Sequence, residues 1–129
     1  MKLSISNIAW AEEYDLEMYE FLKRNDFQGI EIAPTRIIAN DPYNNLESAQ
    51  KISKSLNKNY QLEISSMQSI CYGRQESIFG SEEERNILLN YIKKSIDFAS
   101  AIKCKNLVFG SPKNRIIGEN QENIGYTFF

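Results

Sequence analysis

The stretch GIEIAP, residues 29–34, places Glu31 between Ile30 and Ile32 and ends the apolar run at Pro34. Alternation with a period of two predicts a β-strand whose two faces meet different surroundings. Proline cannot donate a hydrogen bond to a neighbouring strand, so we expect the strand to end there. One face of this strand is therefore predicted to be apolar, and the other carries a carboxylate.

The segments before and after this strand repeat one order, a strand followed by a helix. KLSISNI at 2–8 alternates apolar residues with serines and predicts the first strand. Between about 12 and 25, apolar residues at helical spacing predict the first helix. They are Tyr14, Met18, Phe21 and Leu22. After GIEIAP, Asn44 and Glu47 have the spacing of a capping box and predict the start of a second helix. Its apolar stripe would be Leu46, Ala49, Ile52 and Leu56.

The second half of the chain continues the same order. QLEISSMQSI at 61–70 predicts a third strand, and Ser81 with Glu84 predicts another capping box before a long helix. The stripe of that helix consists of Leu88, Tyr91, Ile92, Ile96, Ala99 and Ile102. NLVFG at 106–110 predicts a fourth strand, and Ile124 and Phe128 mark the start of a fourth helix.

Four strand–helix units in alternation predict a parallel sheet and the α/β class, because a helix supplies the crossover between parallel strands. Two architectures remain, an open doubly wound sheet and part of a (β/α)8 TIM barrel. Strands buried between two helix layers should be apolar on both faces, whereas Ser4, Ser6 and Glu31 make one face polar, with Glu63 and Ser65 as further candidates. A barrel needs eight units and about 250 residues. We therefore expect residues 1–129 to form one domain, the N-terminal half of a TIM barrel truncated in its fourth helix.

Composition excludes several functions. The 15 cationic and 17 anionic residues nearly cancel, which disfavours nucleic-acid binding and attachment to a membrane surface. Without an apolar stretch of about 20 residues or a signal peptide, we expect a cytoplasmic protein with no membrane partner. Cys71 and Cys104 are expected to be reduced. The chain has no histidine, so histidine-dependent nucleophilic catalysis is excluded.

Four stretches of the sequence, KLSISNIAW, GIEIAPTRI, SSMQSICYGR and LVFGSPKNR, resemble the first four strand ends of the sugar phosphate isomerase/epimerase family, whose members have a xylose isomerase-like TIM barrel. The resemblance runs from Met1 to about Arg115. It implies a sugar or sugar phosphate substrate and a divalent metal that assists proton transfer next to a carbonyl. The family's metal ligands come from the second half of the barrel. No residue here inherits a ligand role, so this chain is expected to bind no metal and to be inactive as a fragment.

The remaining candidates are residues that would hold substrate, since active sites of such barrels lie at the C-terminal ends of the strands. Trp10 could stack on a sugar, although a core role explains it as well. Glu31 could bind a hydroxyl or serve as an internal hydrogen-bond partner. Gln68 could bind a hydroxyl or shape a turn.

Three cations on two predicted loops complete the set: Arg74, Lys113 and Arg115. Guanidinium and ammonium groups suit phosphate or carboxylate, and we expect the three to converge at one rim of the sheet. The alternative is solvated loop charge. A second functional hypothesis also remains, a non-enzymatic half-barrel that binds a ligand or assembles, with homodimerisation through exposed strand edges.

Overall fold

A computed structural model of the chain describes residues 1–117. It is an α/β fold with one parallel sheet of three strands in the order β1-β2-β3. The strands are β1 (Ser4–Ser6), β2 (Gly29–Ile32) and β3 (Glu63–Met67). The helices are α1 (Asp15–Arg24), the short α2 (Pro34–Ile37), α3 (Leu46–Tyr60) and α4 (Glu82–Ala101). Short 3-10 turns span Asn7–Ala9, Glu12–Tyr14, Pro42–Asn44 and Pro112–Arg115.

The register of the sheet places like residues side by side. Ile5 pairs with Ile30, and Ile30 pairs with Ile64. An irregularity after Ile30 then shifts the pairing, so that Glu31 lies opposite Ser66. Such a bulge lets two consecutive residues of one strand face a single partner, which brings an extra serine to the face that carries Glu31.

The core lies on the apolar face of this sheet. Ile30 and Ile32 are fully buried and share one cluster with Leu22 of α1, Leu56 of α3 and Phe98 of α4. Strand and helix side chains thus pack as two layers. The opposite face of the sheet carries the partly exposed polar side chains that the alternation predicted.

The capping box of the longest helix is confirmed. The Ser81 hydroxyl accepts from the Glu84 backbone N–H at 3.2 Å, and the Glu84 carboxylate accepts from the Ser81 N–H at 2.8 Å. The box predicted from Asn44 and Glu47 is wrong. Helix α3 begins one residue later than that box requires, and its N-cap, Asn45, makes no side-chain capping bond. The Asn45 amide instead donates to the Asp41 carbonyl at 2.9 Å.

Several predicted helix faces need correction. Tyr14, Phe21 and Ile96 are about half exposed, and Leu46 is 36% exposed, whereas Tyr19 is buried. Tyr14 falls outside the α-helix because a 3-10 turn covers Glu12–Tyr14 before α1 begins. Tyr19 is buried because its ring packs 5.4 Å from that of Tyr60 in α3.

The predicted fourth strand is not formed in the part of the chain that the structure describes. Residues 106–110 do lie beside β3, but only one isolated parallel bridge forms, between Met67 and Leu107. The Asn106 side chain donates to the Ser65 carbonyl at 2.9 Å, and so occupies an acceptor that a regular ladder would leave for a backbone N–H. The predicted fourth helix, at Ile124 and Phe128, lies outside the described residues.

One strand boundary differs from expectation, and another is confirmed. The first strand was predicted over 2–8, but β1 ends at Ser6 because Asn7 starts a 3-10 turn. Pro34 ends β2 as predicted and also begins α2, since proline fits the first turn of a helix where no N–H partner is needed.

Within residues 1–117, no helix is both long enough and apolar enough to cross a membrane.

Candidate functional site

A network of hydrogen bonds crosses the polar face of the sheet. The hydroxyls of Ser4 and Ser65 lie 2.7 Å apart, joining β1 to β3 above Gly29 of β2. A side chain at position 29 would be crowded here, because an added Cβ would lie 3.0 Å from Ser65 Cβ and 3.2 Å from Ser4 Cβ. The absence of a side chain on the central strand therefore lets the two outer strands bond directly.

Glu31 and Gln68, both predicted substrate ligands, belong to this face. The Ser66 hydroxyl donates to Glu31 Oε2 at 2.7 Å, and Gln68 Nε2 donates to the Ser6 hydroxyl at 2.8 Å. Gln68 Oε1 also accepts from Ser69 at 3.3 Å, so both ends of this amide already have protein partners. Within residues 1–117, no hydrogen bond from the protein reaches the other oxygen of Glu31, which leaves it open to a ligand hydroxyl.

A cleft of about 750 Å³ opens at the C-terminal edge of the same sheet. It is lined by the segments that follow β2 and β3 and by one face of α4. The polar side chains on its wall come from Thr35, Arg36, Asp41, Ser69 and Arg74, and the aromatic ones from Tyr72 and Tyr91. Its size is that of small-molecule sites in proteins.

Arg74 lies in this cleft, as its position after the third strand predicted. Its Nε donates to Glu76 Oε2 at 3.0 Å and its Nη2 to Glu76 Oε1. The guanidinium carbon lies 4.9 Å from the centre of the Tyr91 ring, within cation–π distance. The backbone N–H of Glu76, together with Arg74, holds the pKa of the Glu76 carboxyl below its usual range. Arg74 is thus fixed in place with its charge partly neutralised.

Arg36 is a second guanidinium in the cleft, and our sequence interpretation missed it. Its Nη1 and Nη2 donate to the two carboxylate oxygens of Asp15 at 3.1 and 2.8 Å. Burial opposes its charge, but the bonds to Asp15 raise the pKa of Arg36 above its ordinary value. Its place four residues after the end of β2 is the signal that could have identified it.

Trp10 supports this arrangement rather than lining the cleft. Its indole Nε1 donates to Asp15 Oδ1 at 2.8 Å, and its ring meets Tyr19 edge-on at 6.4 Å. The carboxylate of Asp15 therefore joins Trp10 to Arg36. Of the two roles considered for Trp10, these contacts favour the structural one.

The two cationic loops lie together. Asn114 is buried, its amide donates to the Glu76 carbonyl at 2.8 Å, and its carbonyl accepts from the Ile78 N–H at 2.9 Å. Lys113 and Arg115, on either side of Asn114, are exposed and do not line the cleft that contains Arg74. The guanidinium carbon of Arg115 lies 5.9 Å from the centre of the Phe109 ring. The loops converge, but the structure does not bring all three cations into one cavity.

Asn7 is a further residue that the sequence interpretation missed. It is 1% exposed at the end of β1, and its Oδ1 accepts from the Ala33 N–H at 3.0 Å. Its Nδ2 is buried without a hydrogen-bond partner among the described residues. Ile8 and Ala33, which adjoin this contact, both line the cleft. Being the first polar residue after β1 is the available signal.

Two serines with left-handed backbones mark the loops around the cleft. Ser69 has φ 54° and Ser111 has φ 32°, a region that disfavours residues other than glycine. Ser111 also approaches the thiol of Cys71, where burial raises the pKa of the thiol despite that contact. Cys71 and Cys104 are both free and buried.

Left-handed backbone at residues other than glycine, as at Ser69 and Ser111, is found often at binding sites.

The donors on the polar face do not fit a divalent ion by themselves. Within residues 1–117, no group of three or more aspartate, glutamate, cysteine or histidine side chains could hold a metal. Glu31, the serines and Gln68 offer one carboxylate with neutral oxygens. We therefore derive no metal-dependent step from these residues.

No protein-family model matches this sequence, and no curated protein is significantly similar to it. The resemblance of the four strand ends is thus not supported by these comparisons.

Proposed function

We propose that this chain provides the substrate-holding part of a sugar or sugar phosphate isomerase/epimerase, built as the N-terminal half of a TIM-type barrel. In this proposal the polar face of the sheet lines the lumen and binds hydroxyl groups. The cleft at the C-terminal edge holds the anionic group of the substrate.

The observation that carries the proposal is the one-sided construction of the sheet. The apolar face packs against the helices, and the other face has a hydrogen-bonded network from β1 to β3. A doubly wound fold would cover both faces with helices, whereas a barrel has helices outside and side chains inside. The network meets the cleft at Gln68 and Ser69, where barrel enzymes place their active sites.

The two arginines of the cleft retain donors for an anion. Each guanidinium has five N–H groups, and each uses two of them on its carboxylate partner, Asp15 or Glu76. Charge-assisted bonds from the remaining N–H groups suit a phosphate. The rings of Tyr72 and Tyr91 would cover an apolar part of the ligand.

The divalent metal that the family resemblance implies is not assigned to the described residues, and no step of this proposal depends on it. We assign to Glu31 the binding of a substrate hydroxyl through its free oxygen, with Ser66 fixing the carboxylate orientation.

A titration followed by NMR tests this assignment. Fructose 6-phosphate should bind more tightly than fructose and shift amides of residues 69–74 and 35–36. Arg74→Ala should weaken binding of the phosphate ester by about 1.5 to 3 kcal/mol, which is the usual contribution of a hydrogen bond to a charged group. The matched control is Arg24→Ala at the exposed end of α1, which should leave binding unchanged. Equal losses in both variants, or no shifts up to 20 mM ligand (about 100-fold above a typical affinity), would contradict the proposal.

The second candidate is a non-enzymatic half-barrel that assembles with a copy of itself. It is favoured by β1, which has no strand partner on its outer side among residues 1–117. The two candidates differ in what the polar face contacts, a sugar in the first and a second chain in the other.

A further inference from the structure

The N-terminal edge of the sheet, opposite the cleft, has two adjoining crevices. They measure about 810 and 350 Å³ and share Glu63, Ile64, Lys103 and Lys105 on their walls. Three further lysines each line one of the two crevices. We call the set the lysine groove: Lys2, Lys54, Lys58, Lys103 and Lys105.

The charge of the lysine groove is opposite to that of the chain. The chain has a formal net charge of -2, yet Glu63 is the sole carboxylate among the described residues that line these crevices. The C-termini of α3 and α4 also point to this edge, and each contributes about half a negative charge. Five lysines, one carboxylate and two helix ends leave a surplus of roughly three positive charges.

The lysines of the groove are not used by the ion pairs of the described residues. Those pairs involve Arg36, Arg74 and Lys51, the last of which contacts Glu47 at 2.7 Å. Lys23 and Lys94 have other oxygen partners, an Asn59 carbonyl and the Asn44 side chain. The groove therefore gathers ammonium groups whose charge Glu63 and the two helix ends offset only in part.

Buried side chains and backbone hydrogen bonds form the floor of the lysine groove. Leu62 and Ile102 are buried there, and the Ser53 hydroxyl of α3 donates to the Ile102 carbonyl at 3.3 Å. Lys103 follows α4 with φ 61°. The backbone N–H of the next residue, Cys104, donates to the Ala99 carbonyl at 2.9 Å. This left-handed turn carries the chain from α4 to Lys105. Lys54 and Lys58 lie on α3, and Lys103 and Lys105 follow α4. These two segments are joined by the hydrogen bond from Ser53 to the Ile102 carbonyl.

We propose that the lysine groove binds a small molecule carrying two or more phosphate groups. The larger crevice has the volume of a small-molecule site. Ammonium groups bind phosphate as point charges and need no planar partner. Lysines can therefore bind several phosphate groups without requiring one fixed orientation. This site lies at the other end of the strands from the cleft, although its smaller crevice also contacts Ser4 and Ser65 of the polar face.

Calorimetric titration of the full chain with inorganic tripolyphosphate at low salt tests the site. We expect one equivalent to bind, and inorganic phosphate to bind at least fivefold more weakly. Lys54→Ala with Lys58→Ala should raise the Kd about 25-fold, taking about fivefold for each screened charge pair. The matched control, Lys51→Ala with Lys93→Ala, removes the same charge from exposed helix positions and should change the Kd less than threefold (below the effect of one such pair).

A second variant, Lys103→Gly with Lys105→Ala, keeps the left-handed turn favourable and tests the other wall of the groove. A comparable loss is expected there, which keeps the proposal testable if the α3 variant does not fold. The proposal is overturned if tripolyphosphate gives no saturable binding, if phosphate binds as well, or if the control variant loses as much affinity as the groove variants. Amide shifts at 103–106, and not at 69–74, would separate this site from the cleft.

Discussion

At the scale of single residues, the candidate site depends on polar side chains that fix one another. Asp15 accepts hydrogen bonds from both Trp10 and Arg36, and Glu76 holds Arg74 above Tyr91. Charged groups with such partners lose little further freedom when a ligand binds, which lowers the cost of binding. The arginines are therefore better placed to bind an anion than the exposed Lys113, which lies outside the cleft.

Asn7→Ala should destabilise the fold by about 1 to 3 kcal/mol. The change leaves the N–H of Ala33, a residue that is 5% exposed, without its acceptor. Urea unfolding measures the loss, and Asn90→Ala, at an exposed position of α4, is the control with no expected loss. An unchanged midpoint for Asn7→Ala would show that water satisfies the Ala33 N–H.

At the scale of elements, the helix ends show how local chemistry sets boundaries. Helix α4 starts at a full capping box, whereas α3 starts without a side-chain cap. At their C-terminal ends, α1, α3 and α4 are followed by left-handed residues: Asp26, Gln61 and Lys103. Glycine is the usual residue in such turns, because it has no Cβ to clash there. These ends store strain that the packing of the sheet against the helices has to offset.

Ser81→Ala should cost about 1 kcal/mol of folding free energy, because the Glu84 N–H loses its acceptor in the first turn of α4. The free energy of unfolding in urea is the measurement. Ser48→Ala, at an exposed position of α3, removes a hydroxyl with no capping role and should be neutral or slightly stabilising. Equal losses at the two positions would mean that the capping box contributes nothing to stability.

At the scale of the whole molecule, the apolar face of the sheet packs against helices, and no helix within residues 1–117 packs on the polar face. The outer side of β3 is partly covered by residues 106–108, which exchange two backbone hydrogen bonds of 2.8 Å with Met67. No described strand covers the outer side of β1. An unpaired strand edge beside a polar face is a surface that a second strand can extend.

Sedimentation at micromolar concentration should therefore detect a dimer or a larger assembly of this chain. Ser4→Lys places a charged side chain on the polar face beside the open edge and should shift the population towards the monomer. Ser48→Lys, with the same change on the exposed side of α3, should leave the assembly intact. A stable wild-type monomer with a cooperative melt would contradict the assembly hypothesis.

The sequence by itself determined the class of the fold, the polar face and the best helix cap. Alternation in GIEIAP and the Ser81–Glu84 spacing depend on neighbours a few residues apart, and such short-range patterns survive in the folded chain. Alternation likewise placed Glu31 on the polar face, and the strand-end rule placed Gln68 and Arg74 near the face or the cleft.

Only the tertiary structure decided which side chains meet. The bond from Ala33 to Asn7 spans 26 positions and that from Arg36 to Asp15 spans 21, and no local periodicity encodes either. The predicted fourth strand failed for a similar reason, since the Asn106 side chain reaches across 41 positions to the Ser65 carbonyl. Long-range polar contacts depend on how helices pack against the sheet, and packing is a property of the whole chain rather than of a sequence window.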